Sequence, residues 1–291
     1  MTITAIILNY KNYKDVCACI ASLENQVIPT NFNLQILIID NNSEDGCTEK
    51  LQKKFPNHQF IFNKKNLGFS KGVNQGIDFC SKESDYFLLV NNDAELEKNC
   101  LGSLIESSAN KYLTGPVIFY KNEPRLVWQG GGFFSKLKMN ISVPDKNQTL
   151  FSKSLQEVDY LSGCILLIPK NLIESIGKFD EKFFFYGEDL DYCLRAKKYG
   201  LKVIYNPNAQ SWHNIKRAAV SRTSPFVLEN LAVSYQLIIK KHFPRLRIYG
   251  LLLFAFLYTP FRLYQVISGG NNWLNILSWI KGGLAGWRMK I

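Results

Sequence analysis

Three acidic positions in this chain of 291 residues have the surroundings of ligand-binding carboxylates. Asp40 and Asp93 each follow an apolar run typical of a buried strand, and Asp189 lies where a helix is predicted to begin. In an open α/β sheet, ligands bind beside the carboxyl ends of strands and at helix N-termini. The order and spacing of these acids, with His213 downstream, indicate a nucleotide-binding, metal-assisted transferase.

Each of these residues also has a purely structural interpretation. Asp40 precedes amides and a serine that favour turns, so it suits a turn as well as a nucleoside. Asp93 suits a turn, or a hard cation such as Mg²⁺ or Mn²⁺ whose shell is completed by phosphate oxygens and water. Glu188 and Asp189 would stabilise a helix N-terminus by about 0.3–1 kcal/mol without any catalytic role. An isolated His213 is more often an ordinary core or surface residue than a metal ligand.

Alternating apolar runs predict the elements that must position these side chains. Strands are predicted at residues 3–9, 34–40, 59–63 and 86–90, separated by segments with helical apolar spacing. This alternation favours right-handed βαβ units with a mainly parallel sheet, so the predicted fold class is α/β. The second half predicts strands at 113–120, 126–134, 161–169 and 202–205, a polar excursion at 136–154, a helix at 188–199, and a loop carrying Trp212 and His213.

The motifs that are missing exclude other functional classes. No Gly-x-Gly-x-x-Gly follows the first strand, which argues against a classical dinucleotide site, and the P-loop pattern does not occur. The seven cysteines are odd in number and include no Cys-x-x-Cys pair, so we expect a reduced, cytosolic chain. The apolar run at the N-terminus is too short for a signal peptide and is expected to be a strand.

The positive charge is concentrated in the last quarter of the chain. Residues 214–291 contain eleven Lys or Arg against one acid, Glu229, and account for nearly all of the net charge of +11. The basic residues alternate with aromatic ones, which suits an interfacial anchor on an anionic membrane surface. The alternative is a helical subdomain whose apolar stripe packs on the core or on a second copy. A nucleic-acid ligand is disfavoured because no recognised binding module accompanies the charge.

Several short stretches form a joint pattern that is more specific than any one of them. They are residues 6–10 (Ile-Ile-Leu-Asn-Tyr), 38–43 (Ile-Ile-Asp-Asn-Asn-Ser), 66–69 (Asn-Leu-Gly-Phe), 88–93 (Leu-Leu-Val-Asn-Asn-Asp), 161–164, 176–181, 187–195 and the pair 212–213. Over residues 2–215, the chain resembles family 2 inverting glycosyltransferases with the A-type nucleotide-sugar fold. The rhamnosyltransferase and galactofuranosyltransferase branch of bacteria is the most similar.

The resemblance implies roles for the candidate site residues. Asp189 would be the general base, Glu188 would orient the acceptor, and Asp93 with His213 would hold Mn²⁺ or Mg²⁺. Asn91 replaces the first acid of the family's metal-binding motif, which leaves a single carboxylate there. The residues implied to bind the nucleotide-sugar are Asn9, Tyr10, Asp40, Asn42, Asn66, Asn74, Asn92 and Asp93.

The resemblance also implies partners and an organisation into domains. The donor would be a dTDP- or UDP-sugar, with rhamnose favoured, and the acceptor a glycan, with a lipid-linked glycan as one candidate. A catalytic domain is expected at 1–215, with a nucleotide-binding half at 1–100 and an acceptor half at 101–215. A basic helical region at 216–291 would hold it at the inner face of the cell membrane. One alternative is a non-catalytic nucleotide- or glycan-binding protein on the same fold. The other is a nucleotidyltransferase, but this sequence lacks the glycine-rich signature expected of that class.

Overall fold

The computed structural model describes residues 1–142, 154–215, 224–268 and 273–291. Strands and helices alternate through the first third of the chain, as the apolar periodicity predicts. The elements are β1 (Thr2–Asn9), α1 (Tyr13–Glu24), β2 (Asn33–Asp40), α2 (Cys47–Lys54), β3 (Gln59–Phe62), α3 (Phe69–Cys80) and β4 (Tyr86–Asn91).

The next part of the chain adds shorter strands and three helices. The predicted strand at 126–134 is divided in two at a glycine run, where Gly131 has a φ of +77°. The predicted excursion at 136–154 begins as a hairpin, and residues 143–153 lie outside the described part. The elements are β5 (Ala94–Leu96), α4 (Cys100–Ser108), β6 (Leu113–Tyr120), β7 (Glu123–Gln129), β8 (Phe133–Ser135), β9 (Asn140–Ser142), β10 (Gln156–Glu157), β11 (Ile165–Pro169), α5 (Lys170–Ile176), α6 (Glu188–Lys198) and β12 (Val203–His213).

One mixed, mostly parallel sheet organises these elements. Its strand order is β10-β12-β6-β11-β4-β1-β2-β3, with β7 beside β6 and β5 beside β12. Strands β3, β2, β1 and β4 are parallel to one another, and β11 is antiparallel to both β4 and β6. Alternate residues of β1 face opposite layers: Ile3 and Ile7 pack with α1 and α4, and Ile6 packs with α3 and α6. The α/β prediction is confirmed.

Strand β12 is longer than the sequence predicts. The prediction ends the strand at residue 205 and places Trp212 and His213 in a loop, which is wrong. The strand continues past a bulge between Asn206 and Gln210, and its last residues pair with β6 and β5. Pro207 lies within this bulge, where its missing N–H costs no ladder hydrogen bond. A proline at this position makes the sequence look as though the strand ends before it.

The basic C-terminal region is helical where it is described. Its helix α7 runs along α6, and α10 packs closely on α7 through glycines, with Gly282 and Gly286 facing the backbone of α7. Leu228, Phe254 and Trp279 form part of a small core of their own. The elements are α7 (Pro225–His242), a 3₁₀ turn (Pro244–Leu246), α8 (Arg247–Leu253), a π turn (Phe254–Tyr258), α9 (Thr259–Ser268) and α10 (Leu274–Arg288).

Candidate active site

Asp93 and His213 meet at one edge of the sheet because β5 pairs with β12. Ala94 pairs with His213 in this register, and the N–H of Asn214 donates to the Asp93 carbonyl at 2.8 Å. As a result, Nε2 of His213 lies 2.8 Å from Oδ1 of Asp93. Burial lowers the pKa of His213, but the Cys164 thiol and the Asp93 carboxylate outweigh it and raise that pKa to about 10. A cation at this place would have to displace the proton that the pair shares.

The ends of β1 and β2 bring a second group of predicted residues together. Asn9 and Asp40 pair across the two strands, and Oδ1 of Asn9 accepts a hydrogen bond from the Asn92 amide at 3.0 Å. Both carboxylate oxygens of Asp40 accept hydrogen bonds from Ser43, one from its N–H at 3.1 Å and one from its hydroxyl. The structure therefore places Asn9, Asp40 and Asn92 beside one another, with Asp40 also closing a turn.

Asn41 organises the loop that enters α3. Its amide donates to Oδ1 of Asn66 at 2.9 Å and to the Gly68 carbonyl at 3.2 Å, and its oxygen accepts from the Leu67 N–H at 3.0 Å. Gly68 has a φ of +77°, and a Cβ there would lie 2.6 Å from the Phe184 carbonyl oxygen. Asn66 thus lies within this network. The role of Asn41 was not predicted, although the residue stands inside a motif that the sequence analysis quoted.

Three other predicted residues have different surroundings. Asn74 is buried in α3, where its amide donates to the Phe179 carbonyl at 2.9 Å and its oxygen accepts from the Phe179 N–H at 3.0 Å. It therefore fastens α3 to the loop before α6. Tyr10 is 46% exposed after β1, with the Lys11 ammonium 5.2 Å from its ring centre. Asn42 is partly exposed in the left-handed conformation, with a φ of +68°.

Asp189 lies in the first turn of α6 and accepts three hydrogen bonds. Its Oδ2 accepts from the Tyr160 hydroxyl at 2.9 Å and the Gly163 N–H at 3.1 Å, and its Oδ1 from the Leu190 N–H at 2.8 Å. Burial raises the pKa of Asp189, and these hydrogen bonds offset only part of that increase. Tyr160 was missed because it lies in an irregular segment without periodicity, far from Asp189 in sequence.

Glu188 is buried beside Asp189 without a complete set of partners. Its Oε2 has no hydrogen-bond partner among the described residues. Burial, followed by the charge of Asp189, raises the pKa of Glu188 well above its ordinary range. The higher pKa increases the share of the protonated form at any given pH, and a protonated carboxyl group can donate a hydrogen bond.

A short segment connects the Asp189 carboxylate with the Asp93–His213 pair. The N–H of Gly163 donates to Asp189, and the carbonyl of the next residue, Cys164, accepts from the Asn91 N–H at 2.8 Å. The Cys164 thiol interacts electrostatically with His213, Asp93 and Asp189. The two groups therefore both lie around residues 163 and 164.

Helix α7 supports the turn that presents Asp189. Tyr186 and Gly187 both have positive φ values, +68° and +84°. The Ser234 hydroxyl donates to the Tyr186 carbonyl at 2.5 Å, and a Cβ on Gly187 would lie 2.8 Å from Cβ of Ser234. This turn is therefore shaped around a residue of the C-terminal region, which the sequence did not predict.

An ionic cluster strengthens the same contact between α6 and α7. The fully buried Asp191 carboxylate binds Arg195 at 2.9 Å, and from α7 it binds Lys241 at 2.9 Å and His242 at 2.8 Å. Burial raises the pKa of Asp191, but His242, Arg195 and Lys241 outweigh it and lower that pKa to about 2. The cluster fixes the helix that carries Asp189.

The donors at Asp93 and His213 fit a cation that is bound together with a phosphorylated ligand. Within the described ranges, no group of three or more His, Cys, Asp or Glu side chains could hold a metal ion. One carboxylate oxygen and one imidazole nitrogen leave most of a six-coordinate shell to phosphate oxygens and water. Asn91 cannot supply the charge of a second acid, so the protein alone offers few ligands.

The sheet order and the acids at its edge define an α/β fold of the A-type glycosyltransferase class. The model of Glycosyl transferase family 2 matches residues 4–177, which is more than half of the chain. The protein therefore belongs to glycosyl transferase family 2 and is a glycosyltransferase.

Similar proteins have the same class of activity in their names. An N-acetylglucosaminyl-diphospho-decaprenol L-rhamnosyltransferase of Mycobacterium tuberculosis is 24% identical over 213 residues, covering 64% of this chain and 68% of that protein. The dTDP-rhamnosyl transferase RfbF of Shigella flexneri is 25% identical over 217 residues, covering 73% and 69%. The crystal structure of GalNAc-T7 with UDP, GalNAc and Mn²⁺ superposes with a TM-score of 0.64 at 14% identity, covering 83% of this chain and 49% of that one. That likeness shows the fold alone.

Proposed function

We propose that the protein is an inverting glycosyltransferase that moves a sugar, with rhamnose favoured, from a dTDP- or UDP-sugar to a glycan acceptor. The observation that carries this proposal is that the Asp189 carboxylate accepts from the Gly163 N–H, while the Cys164 thiol, one residue further on, interacts with both Asp189 and the Asp93–His213 pair. A base and an anion-stabilising group gathered around one short segment suit the two ends of a single displacement.

In the proposed reaction, Asp189 accepts the proton of the acceptor hydroxyl. The hydroxyl oxygen forms its bond to the anomeric carbon, and the bond from that carbon to the diphosphate oxygen breaks. Its electron pair leaves with the nucleoside diphosphate. Oδ2 of Asp189 already accepts from Tyr160 and Gly163, so these two donors fix the orientation of the carboxylate. Glu188, whose Oε2 has no hydrogen-bond partner among the described residues, orients the acceptor by a hydrogen bond.

The opposite end of the site binds the donor. Asp93 and His213 would hold Mn²⁺ or Mg²⁺, which supplies positive charge to the leaving diphosphate when it is bound. Asp40 and Asn9 contact the nucleoside, with Tyr10, Asn42 and Asn92 around it. Asn66 lies nearer the phosphates, and Asn74 acts by holding the loop before α6.

Similarity supports the donor and acceptor classes. One relative is named for rhamnosyl transfer from dTDP-rhamnose, and another for rhamnosyl transfer to a diphospho-decaprenol-linked sugar. We accordingly propose that the acceptor is a lipid-linked glycan in the synthesis of a cell-surface polysaccharide. The protein would then act on the cytoplasmic side of the membrane.

Thermal unfolding with a panel of nucleotide-sugars, with and without Mn²⁺, tests the donor site. A donor at a hundred times its dissociation constant is expected to add about 2.7 kcal/mol to the free energy of unfolding. We expect one donor to stabilise the wild type in a metal-dependent way and Asp93→Ala to lose that effect. If no donor stabilises the wild type at any metal concentration, the proposed donor classes are wrong.

Transfer assays with the selected donor test the reaction itself. We expect Asp189→Asn to bind the donor normally and to lose transfer, because the amide cannot accept the proton. The nucleotide product should be the diphosphate, without release of pyrophosphate. Near-normal transfer by Asp189→Asn would contradict the assignment of the base.

A further inference from the structure

An exposed apolar stripe runs along the longest helical segment of the C-terminal region. The 3₁₀ turn, α8, the π turn and α9 form one continuous helix, Pro244–Ser268, which is the one described helix long and apolar enough to cross a membrane. Seven large apolar side chains on it are between 49 and 77% exposed, far more than a packed helix face would leave open; Leu257 is one of them, and the other six define the stripe. This stripe consists of Ile248, Leu252, Phe256, Phe261, Tyr264 and Ile267.

The π turn keeps the stripe on one face of the helix. Ile248, Leu252 and Phe256 follow one another at intervals of four residues, and Tyr264 and Ile267 continue at an interval of three. The step from Phe256 to Phe261 is five residues, and the π turn at Phe254–Tyr258 has the wider spacing that such a step requires. The π turn thus accommodates the extra residue, and the apolar side chains before and after it stay on the same side of the helix.

The opposite face of the helix is fastened to the rest of the protein. Gly250 lies against Ile239 of α7, and Phe254 stacks on Trp279 of α10 with ring centres 4.8 Å apart. The hydroxyls of Tyr249 and Tyr258 donate to backbone carbonyls of the loop between β8 and β9, the former at 2.6 Å. The helix therefore packs against α7 and α10 and touches the loop between β8 and β9, so it lies against the rest of the protein and does not project from it.

The charged residues around the stripe are arranged for an anionic surface. Arg247 and Arg262 turn away from the stripe toward α10, with their guanidinium carbons 3.7 Å and 5.3 Å from the ring centres of Trp287 and Trp279. On α10, Lys281 and the exposed Arg288 lie among exposed leucines. Among the described residues after 224, the single acid is Glu229, which is paired with Lys281 at 3.0 Å.

We propose that this stripe, with the basic side of α10 beside it, docks in the plane of an anionic lipid bilayer. The apolar side chains enter the boundary between headgroups and acyl chains, and the cations of α10 bind the headgroups. A second copy of the chain fits less well, because its own face would bring like positive charge against this one. The docking of this stripe is inferred from its own contacts and exposure and does not depend on the proposed function. Its use in presenting a lipid-linked acceptor does rest on the proposed function.

Sedimentation of the full-length protein with vesicles tests this surface. The probes are vesicles of phosphatidylcholine alone and of phosphatidylcholine mixed with phosphatidylglycerol. We expect binding to the anionic vesicles, and we expect Phe256→Ser combined with Tyr264→Ser to weaken it by about tenfold or more. Phe79→Ser is the control, because Phe79 is also an exposed aromatic residue (58%), on α3 and away from the stripe.

The outcomes separate the docking surface from its alternatives. Loss of binding in the stripe variant alone, with its thermal midpoint retained, supports the proposal. No binding by the wild type, or equal loss in Phe79→Ser, overturns it.

Loss of a wild-type dimer in the stripe variant without vesicles would identify a second copy as the occupant, and resistance of bound protein to alkaline carbonate would identify a spanning helix. Donor-dependent thermal stabilisation should be unchanged in the stripe variant, so failure of docking and failure of the transferase site are distinguishable.

Discussion

Removal of one hydroxyl should change the pH at which the candidate base works. In Tyr160→Phe the ring is retained, but Oδ2 of Asp189 loses the hydrogen bond of 2.9 Å and keeps only the Gly163 N–H at 3.1 Å. Burial raises the pKa of Asp189, and the Tyr160 hydroxyl is one of the groups that lower it. Loss of that hydroxyl therefore raises the pKa further.

The size of the effect follows from the charge on the acceptor. A hydrogen bond to a charged group contributes roughly 1.5–3 kcal/mol, which moves the acidic limb of the pH–rate profile upward by about 1–2 pH units. Because the base must be ionised, the variant should lose activity on the acidic side of the profile and approach the wild type as the pH rises. Initial rates of transfer at saturating donor, measured from acidic to alkaline pH, locate the acidic limb.

Other ionisable groups face Asp189 and must remain unchanged in this comparison. They are Glu188 and the thiols of Cys164 and Cys193. Tyr192→Phe is the matched control, because the Tyr192 hydroxyl is buried without a hydrogen-bond partner in the described structure. If Tyr160→Phe lowers the rate equally at every pH, or if Tyr192→Phe moves the limb as far, the reasoning about Tyr160 is refuted.

Three substitutions around the same turn should change stability in defined directions. Burial and the charge of Asp189 raise the pKa of Glu188, so its carboxyl group costs stability as the pH rises above the ordinary carboxyl range. Glu188→Gln should therefore add about 1–3 kcal/mol to the free energy of unfolding at pH 7 and little in acid. Thermal unfolding at both pH values measures this difference. Gly187→Ala should destabilise the protein by about 1–2 kcal/mol or more in denaturant unfolding, since φ is +84° and the new Cβ meets Ser234. Measured against Ser234→Gly, which itself loses the hydrogen bond to the Tyr186 carbonyl, the same substitution should cost only the part due to the positive φ. Asp191→Asn should cost about 3–5 kcal/mol at neutral pH, because Arg195 loses its carboxylate partner and Lys241 keeps only Asp180. The loss should diminish as the pH falls toward about 2, where Asp191 itself becomes protonated.

The apolar runs in the sequence predicted the strands of the first third of the chain. The apolar runs that end at Asn9, Asp40 and Asn91 are strands β1, β2 and β4, and their parallel pairing places these polar residues at one edge. The sequence also indicated acidic residues at that edge before any distance was known. It could not predict that β12 continues past Pro207, because proline usually interrupts a strand and here lies in a bulge.

The parts of the site that were missed depend on contacts between distant segments. Tyr160 reaches Asp189 from an irregular segment, and no periodicity marks it. Ser234 lies on α7 as one small polar residue among apolar ones, yet it determines how closely that helix approaches Gly187. Such residues carry no signal of their own in a single sequence, since their role is defined by the partner and not by their neighbours.

The division predicted after residue 215 separates segments that support each other. Helix α7 contacts the turn of Asp189 through Ser234 and binds Asp191 through Lys241 and His242. A fragment of residues 1–215 would leave the Tyr186 carbonyl and the Asp191 carboxylate without these partners. We therefore expect the fragment to lose transfer even to a soluble acceptor.

The variants of the lipid-facing stripe provide the comparison for that fragment. They should keep transfer to a soluble acceptor and lose only vesicle binding, because they leave every contact between α7 and α6 in place. A fragment that folds and transfers at the wild-type rate would show that α7 does not position the base. If the fragment fails and the stripe variants succeed, one helix serves both purposes: its α6 side fixes Asp189, and its other side, packed on Gly282 and Gly286, carries the lipid-facing helices.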